Sequence, residues 1–375
     1  MAQVAFTLEN APQPRIIRYV PILKAKDAEY RALGDLTPHA QASIVPLLEV
    51  PSIPWDYEND GPAKSIDAHL APVANRIAGV WAAPAIAYID LALVADDLLS
   101  DGRHPLEAVM ENAVKTGAAL IPVIGLDRSK QYQAAARAAA ARDRRGVCLR
   151  LEPDALLSAA AEPLTARVDA ALSDVGLAAP DIDLVLDLGS IRGDDTAVLA
   201  VAWTTLWPAL PRLMEWRSVT FAATAFPQSL TGLTPNAITR IPRGEWSLYS
   251  SLRNAALPRQ PDFGDYAIAH PEPVEMDPRL MKISAQVRYA APTEWLVVRG
   301  RNTKDYGWGQ MHGLAAKLIA EPEFAKAPHC WGDEFIQRCA IVSTSESGNA
   351  MTWRRVGTVH HLTTVVEQLT TASWL

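Results

Sequence analysis

The chain has 375 residues, of which 49% are hydrophobic and 21% charged, and its net charge is −7. This balance is typical of a globular protein that buries a large core, and it excludes disorder over most of the length. The negative charge argues against a general nucleic-acid coat. Three scattered cysteines (Cys148, Cys330, Cys339) are too few for a disulfide framework or a zinc module, which fits a reducing cytoplasm.

Neither a secretory signal nor a membrane span is predicted. The first ten residues lack a basic segment followed by a long apolar core. The longest apolar stretch, residues 78–95, contains Pro84 and Asp90, and a charge near the middle of a bilayer costs a few kcal/mol. A buried strand between two helices explains this stretch better, so we expect a cytoplasmic protein.

A repeated pattern fills the first two thirds of the chain: a short apolar run, a polar or charged residue at its end, and then a helical stretch. Continuous apolar runs of this length are typical of strands buried on both faces, as in a parallel sheet. The eight runs are residues 19–24, 44–49, 85–90, 120–127, 147–152, 183–187, 218–224 and 266–270.

The intervals between the runs are rich in strong helix formers. The predicted helices are residues 27–36, 68–80, 106–115, 132–144, 154–177, 196–214 and 236–254. Eight alternations of strand and helix favour an α/β fold with a closed (β/α)8 TIM-like barrel over an open sheet. The first run is not followed by Gly-x-Gly-x-x-Gly, so the best cue for a dinucleotide-binding fold is missing.

The rhythm changes after residue 270. Two apolar runs, residues 283–289 and 294–299, predict a β-hairpin, and helices are predicted at 310–320, 332–340 and about 352–369. Nine of the eleven tryptophans lie from Trp203 onward, which suggests that the two halves are built differently. We therefore predict a tail at 1–14, a barrel at 15–280, and a C-terminal hairpin-plus-helices cap at 281–375 on the barrel mouth.

Most of the predicted strands end in an ionisable residue, and the side chains of these residues point to the same face of their strands, that is, they share one parity. Residues two apart on a strand share a face, and barrel active sites lie at the C-terminal strand ends. Each residue alone is explained by helix capping or surface pairing, but the shared parity favours a common ring at the mouth. The candidate catalytic residues are Lys24, Glu49, Asp90, Arg150 and Asp187.

Three chemistries could use this ring. The carboxylates could hold Mg²⁺ while Lys24 and Arg150 grip a phosphate. Two carboxylates could act as acid and nucleophile in glycoside hydrolysis. Lys24 could form a Schiff base if burial lowered its pKa. The first explains both signs of charge, and no cofactor is certain.

Arginines and aromatic residues cluster in the C-terminal part. Arginine beside aromatics suits a phosphate-containing ligand or serves as packing between cap and barrel. We predict that Arg288, Arg299 and Arg301, with His270 at the end of the eighth run, bind an anionic ligand. The adjacent His360 and His361 point to different sides of a helix, so a metal shared between them is not expected, and a hydrogen-bonded structural role is favoured for His360.

Both ends of the chain carry distinctive short motifs: 19–26 (YVPILKAK), 29–33 (EYRAL), 45–50 (VPLLEV), 295–300 (WLVVRG), 331–333 (WGD), 352–357 (TWRRVG) and the 360–361 histidine pair. These motifs resemble the Beta protein family of phages and bacterial mobile elements, and the similarity spans about residues 18–369. The resemblance implies a prophage or antiviral defence setting and supplies no chemistry.

Two functions of different class follow. The favoured one is a defence or toxin-neutralising protein that binds a ligand, or a protein partner encoded nearby, at the barrel mouth. The alternative is a TIM-barrel hydrolase or phosphodiesterase that acts on an anionic, nucleotide-like substrate with a divalent metal. Converging, open carboxylates would favour the enzyme, whereas closed salt bridges from Lys24 and Arg150 would favour binding.

Overall fold

The computed structural model describes residues 18–81, 83–157, 162–272, 283–325, 329–341 and 346–371. The strands are β1 Tyr19–Lys24, β2 Leu47–Glu49, β3 Trp55–Asp56, β4 Gly61–Pro62, β5 Ile86–Asp90, β6 Ala119–Ile124, β7 Val147–Leu151, β8 Ile182–Ser190, β9 Ser218–Thr224, β10 Ile238–Pro242, β11 Asp262–Asp265, β12 Ser284–Ala290 and β13 Glu294–Asn302. The helices are α1 Asp27–Gly34, α2 Pro38–Ser43, α3 Ile66–Leu70, α4 Val73–Val80, α5 Pro105–Thr116, α6 Lys130–Asp143, α7 Pro153–Leu157, α8 Leu164–Val175, α9 Thr196–Leu206, α10 Gly244–Asn254, α11 Thr303–Tyr306, α12 Met311–Ile319, α13 Trp331–Ala340 and α14 Ala350–Thr371.

Eight parallel strands close into a barrel in the order β1-β11-β9-β8-β7-β6-β5-β2. β2 pairs with β1 through the register Lys24 to Glu49, and β11 pairs with β1 through Tyr19 to Phe263, so the sheet has no open edge. Helices follow the strands on the outside, which confirms the predicted (β/α)8 fold. The ladder aligns Lys24, Glu49 and Asp90 side by side, because β2 also pairs with β5 through Glu49 to Asp90.

The two faces of the strands form two separate apolar cores. The inward face contributes one small cluster that includes Val20, Ile22, Leu47, Tyr88 and Val185. The outward face packs beneath the helices in a much larger cluster. Both faces are buried, which is why the strands appear as continuous apolar runs rather than alternating ones.

The predicted eighth strand, residues 266–270, is wrong. The eighth strand is β11, Asp262–Asp265, and Tyr266 to His270 follow it as turns at the mouth. β11 has only four residues, and because Asp262 and Asp265 are charged it does not appear in the sequence as an apolar run. The apolar side chains after it are buried all the same, because Tyr266 packs on the inner core of the barrel and Ile268 packs under the C-terminal sheet.

Several predicted helices differ in their bounds. The expected helix at 236–254 begins only at Gly244, because residues 238–242 form β10 and Pro242 precedes the helix. The expected helix at 154–177 is divided into α7 and α8, and the expected helix at 68–80 into α3 and α4.

The hairpin expected near residue 290 is present as β12 and β13. Both strands are antiparallel, and β10 adds to the other side of β13, so the sheet order is β10-β13-β12. One face of this sheet packs on α12, α13 and α14 around Val287, Leu296 and Leu314. The other face carries Trp295 and Val297 against Phe226 and Ile268 beside the barrel mouth.

The long helix α14 has two environments. Trp353 and Val356 pack with the small sheet, whereas Val359, Leu362 and Val366 belong to the core around the barrel. α14 packs against α1 and reaches β1, and it occupies the place of the helix that follows β11. The strands β12 and β13 and the helices α11 to α13 are therefore inserted between the eighth strand and the helix that covers it. The predicted tail, residues 1–14, lies outside the described residues.

Candidate binding site at the barrel mouth

The five charged side chains predicted at the strand ends meet at the C-terminal mouth of the barrel. Arg150, from β7, lies at their centre. Its Nε and Nη2 donate to Oδ2 of Asp187 at 2.9 and 2.7 Å, and its Nη1 donates to Glu49 at 2.8 Å and to Asp90 at 2.9 Å. Lys24 completes the ring by donating from Nζ to the other oxygen of Glu49 at 2.5 Å.

Every carboxylate oxygen in this ring accepts a hydrogen bond. The remaining oxygen of Asp90 accepts from the backbone N–H of Ala92 at 2.9 Å, and that of Asp187 from the N–H of Gly189 at 2.8 Å. The ring is buried: the side chains of Asp90 and Asp187 are each 1% exposed and that of Arg150 is 3% exposed. Such a network is stable because each buried charge has a partner in good geometry.

The charges of the ring shift the pKa of its members. Burial alone would lower the pKa of Arg150, but Asp187, Tyr266, Glu49 and Asp90 together raise it well above its usual value. Burial, and then the charge of Asp187, raise the pKa of Tyr266. Arg150 is therefore a permanent cation and Tyr266 a neutral phenol that donates to Asp187 at 2.6 Å.

Three members of the site were missed from the sequence. Tyr266 was assigned to an apolar run and its hydroxyl was not considered. Arg128 follows the fourth predicted run, and its Nη2 lies 3.5 Å from Asp90 and 3.3 Å from Glu152. Glu152 ends the fifth run two residues after Arg150 and on the same parity, but it is not among the candidates predicted above; burial is the main reason why its pKa is raised.

The ring does not fit the three chemistries considered for it. The oxygens of Glu49, Asp90 and Asp187 all accept hydrogen bonds, and Arg150 lies at the centre of the ring, where a shared Mg²⁺ would have to bind. The same pairing leaves no free acid and nucleophile for glycoside hydrolysis. Nζ of Lys24 is engaged by Glu49 at 2.5 Å, so it is not free to attack a carbonyl as a Schiff base requires.

Beside the ring lies an open cavity of about 580 Å³, into which Glu152, Asp187 and Tyr266 also face. Its polar lining is mainly acidic, and among the described residues that line it there is no lysine, arginine or histidine. Its apolar wall includes Leu199 and Trp203 of α9. The carboxylates that line it are Asp127, Glu152, Asp154, Asp187, Asp194 and Glu272. A cavity lined in this way attracts a cation and repels a phosphate.

The residues predicted to bind an anion lie elsewhere and do not converge. Arg288 donates to the carbonyl of Ile268 at 2.6 Å and lines a separate cavity of about 170 Å³. Arg299 donates to Leu233 and to Ser284. The guanidinium of Arg301 lies 4.8 Å from the ring centre of Tyr306.

His270 is not at a strand end, because the eighth strand ends at Asp265. Its Nδ1 accepts from the backbone N–H of Glu272 at 3.2 Å. None of these four residues lines the acidic cavity. Their role in ligand binding therefore stays a prediction, separate from the mouth of the barrel.

The described part of the chain contains no helix whose length and apolar character would let it cross a membrane. Fold and site together define a (β/α)8 barrel protein with a charge-paired ring and an acidic cavity at its mouth. The family model described as Beta protein matches residues 19–367, and the chain belongs to the Beta protein family. Among curated proteins, none matches this chain.

Solved structures with a similar fold are distant. Triosephosphate isomerase from Bartonella henselae is 13% identical over 66% of this chain and 92% of its own, with a TM-score of 0.36. 3-Hexulose-6-phosphate synthase is 15% identical over 66% and 88%, with a TM-score of 0.33. 2,3-Dimethylmalate lyase is 14% identical over 67% and 77%, with a TM-score of 0.34. At these values the similarity carries no functional argument.

Proposed function

We propose that this protein is a binding protein whose barrel mouth accepts a positively charged group of a protein partner. The observation that carries the proposal is the acidic cavity next to a ring whose own charges are already paired. Asp154 and Asp194 line the cavity, and no side-chain hydrogen bond or ion pair engages either carboxylate among the described residues. A lysine or arginine side chain that entered the cavity would supply the missing partner.

The helix beside the cavity supports a protein rather than a small cation. α9 has the sequence TAVLAVAWTTL, and only Trp203 of its side chains is buried. Val198 is 64% exposed and Val201 71% exposed, and Leu206 at the end of the helix is also exposed. An apolar surface next to a charged pocket is typical of a protein interaction site. The partner we propose places a basic side chain in the cavity and apolar side chains on α9.

The setting is proposed from the family. The resemblance to proteins of phages and mobile elements favours antiviral defence or toxin neutralisation, with the partner encoded nearby. The three cysteines are free, which agrees with a reducing cytoplasm as the expected location.

A hydrolase that acts on an anionic, nucleotide-like substrate is the less supported alternative. In its favour, the ring and the cavity lie at the C-terminal ends of the barrel strands, where barrel enzymes have their active sites. The side chains at the mouth disfavour this activity, because the ring carboxylates are engaged and the open cavity would repel a phosphate. A cationic group is therefore the ligand that the site fits best.

The test measures binding of a fluorescein-labelled peptide with amphipathic repeats of leucine and arginine, by fluorescence anisotropy at low salt. We expect saturable binding that weakens as salt is added. The double variant Asp154→Asn/Asp194→Asn removes two charges from the cavity and should weaken binding at least tenfold.

A matched variant, Glu58→Gln/Asp60→Asn, removes two exposed charges outside the cavity lining. It should bind the peptide as the unmodified protein does. If both double variants lose peptide binding equally, binding depends only on the net charge of the protein. That result, or the absence of saturable binding, would contradict the proposal.

A further inference from the structure

Two histidines and an aspartate come together away from the barrel mouth, where α13 meets α14. His329 precedes α13, Asp333 lies in the first turn of α13, and His360 lies in the middle of α14. One potential ligand atom from each lies within 4.8 Å of the other two, and this is the one such group of three among the described residues. Asp333 and His360 are buried, whereas His329 is partly accessible to solvent.

The contact of His360 with the carbonyl group of Ala290 shows which ring nitrogen carries the proton. Nε2 lies 2.8 Å from the carbonyl oxygen of Ala290, and a carbonyl only accepts, so Nε2 carries the hydrogen. The lone pair of a neutral imidazole is then on Nδ1, which lies 3.1 Å from Oδ1 and 3.3 Å from Oδ2 of Asp333. Two electron-rich groups face each other, and a positive charge is needed between them.

The carboxylate of Asp333 leaves one oxygen available. Oδ2 accepts from the thiol of Cys330 at 3.1 Å, whereas Oδ1 is buried and has no hydrogen-bond partner. A buried carboxylate oxygen without a partner is costly. It is also the kind of atom that binds a metal ion.

The neighbouring histidine provides an internal comparison. His361 and Asp265 form a short pair, with 2.6 Å between Nε2 and Oδ2, as expected for a charge-assisted hydrogen bond. The contacts between His360 and Asp333 are about half an ångström longer. Two ligand atoms bound tetrahedrally to one zinc ion at about 2.0–2.1 Å lie roughly 3.3 Å apart. The wider spacing matches the separation of two ligand atoms on one ion.

Both histidines also have an outer oxygen partner. His360 has Ala290, and Nδ1 of His329 lies 3.4 Å from a carboxylate oxygen of Glu367. Metal-binding histidines almost always donate their second N–H to such an oxygen, which fixes the ring and raises its basicity. Two imidazoles and a carboxylate form a ligand set typical of zinc and related divalent transition metals.

We propose that His329, Asp333 and His360 bind a divalent transition metal of the zinc class. The ion would join the segment before α13 to α14, and through Ala290 to β12. The site is formed by residues of the inserted segment and α14, and it is independent of the acidic cavity.

The test uses the full-length protein, freed of metal with a chelator and titrated with Zn²⁺ by isothermal calorimetry. We expect one ion per chain and a melting temperature that rises by about 3 °C at a hundredfold excess over the Kd. The variant His329→Gln should weaken zinc binding at least tenfold. Its side chain is partly exposed, so we expect the variant to fold.

Asp333→Asn provides a second variant and should also lose the ion. His39→Gln, an exposed histidine on α2, is the matched control and should bind zinc normally. Zinc binding that survives in His329→Gln would overturn the proposal. A protein that takes up no stoichiometric zinc would also overturn it.

Discussion

Arg150 and Asp187 form the central ion pair of the barrel mouth, with two guanidinium nitrogens at 2.9 and 2.7 Å from one carboxylate oxygen. They lie on adjacent parallel strands, where Arg150 of β7 and Val185 of β8 are register partners and Asp187 is two residues further along the same face. Oδ2 of Asp187 thus accepts three hydrogen bonds, two from Arg150 and one from the hydroxyl of Tyr266.

Replacing Arg150 with methionine should strongly destabilise the protein. The change leaves Glu49, Asp90 and Asp187 without their shared cation, and breaking a buried ion pair from one side costs about 3–5 kcal/mol. Urea denaturation would measure this as a loss of unfolding free energy. Lys130→Met is the control: its side chain is 84% exposed and pairs with Asp174, so the loss should be within about 1 kcal/mol. Equal effects would mean that the ring contributes no more than a surface pair.

Val201→Ser should leave stability nearly unchanged and impair partner binding. Val201 is 71% exposed on α9, so the substitution should alter the unfolding free energy by no more than about 0.5 kcal/mol. Binding of the leucine–arginine peptide should weaken at least fivefold if the apolar surface of α9 is part of the interface. Val114→Ser makes the same change at an exposed position of α5 and should leave peptide binding unchanged. Unaltered peptide binding in Val201→Ser would remove α9 from the proposed interface.

Gly264→Ala should destabilise the barrel. A Cβ at this position of β11 would lie 2.8 Å from the Cβ of Ala222 and 3.1 Å from the carbonyl oxygen of Val20. Overpacking of this kind costs about 1–3 kcal/mol. Gly313 of α12 has nothing within 4 Å of such an atom, and Gly313→Ala should be neutral or stabilise by up to about 1 kcal/mol. Thermal unfolding of both variants measures the difference, and a Gly264→Ala protein as stable as the parent would contradict the packing argument.

Stability should decline as the pH falls below about 6.5, and His104 is one cause. Burial lowers the pKa of His104, against the opposing effect of Glu107. The unfolded chain therefore takes up a proton near pH 6.5 while the folded chain does not, so the stabilising contribution is complete above this pH and decreases below it. For one histidine the loss is at most about 1.4 kcal/mol per pH unit.

The substitution His104→Asn isolates this effect. Nδ1 of His104 accepts from the N–H of Leu106 at the start of α5, and an asparagine oxygen can accept there without titrating. Urea denaturation at pH 7.5 and 5.5 should show a smaller decline for this variant. His39→Asn, at an exposed position, should keep the original decline. An unchanged pH dependence in His104→Asn would exclude this histidine as a cause.

Much of the barrel could be predicted because its strands follow one rule. Tyr19–Lys24 and Ser218–Thr224 have the predicted bounds, since both are buried on both faces over most of their length. The parity that groups Lys24, Glu49 and Asp90 is a property of the backbone, and the parallel register places equivalent positions side by side. Local pattern is sufficient for such features.

Other features depend on contacts that no local pattern shows. The four-residue strand β11 contains two aspartates, which are tolerated because Asp265 accepts from Tyr19 and pairs with His361. The acidic cavity combines carboxylates from loops after four different strands, including Asp127 and Glu272. The possible metal ligands are 31 residues apart from His329 to His360 and come together only because α13 packs against α14.

The position of α14 has a consequence for synthesis on the ribosome. The barrel strands end at Asp265, but the helix that covers β11 and β1 begins at Ala350, 85 residues later. At roughly 5–20 residues per second, translation needs several seconds to supply that helix. During this time the outer face of β1 lacks the packing of α14, including the edge contact between Tyr19 and His361. A nascent chain of this length is a natural substrate for chaperones, and messages truncated before codon 350 should yield aggregating protein.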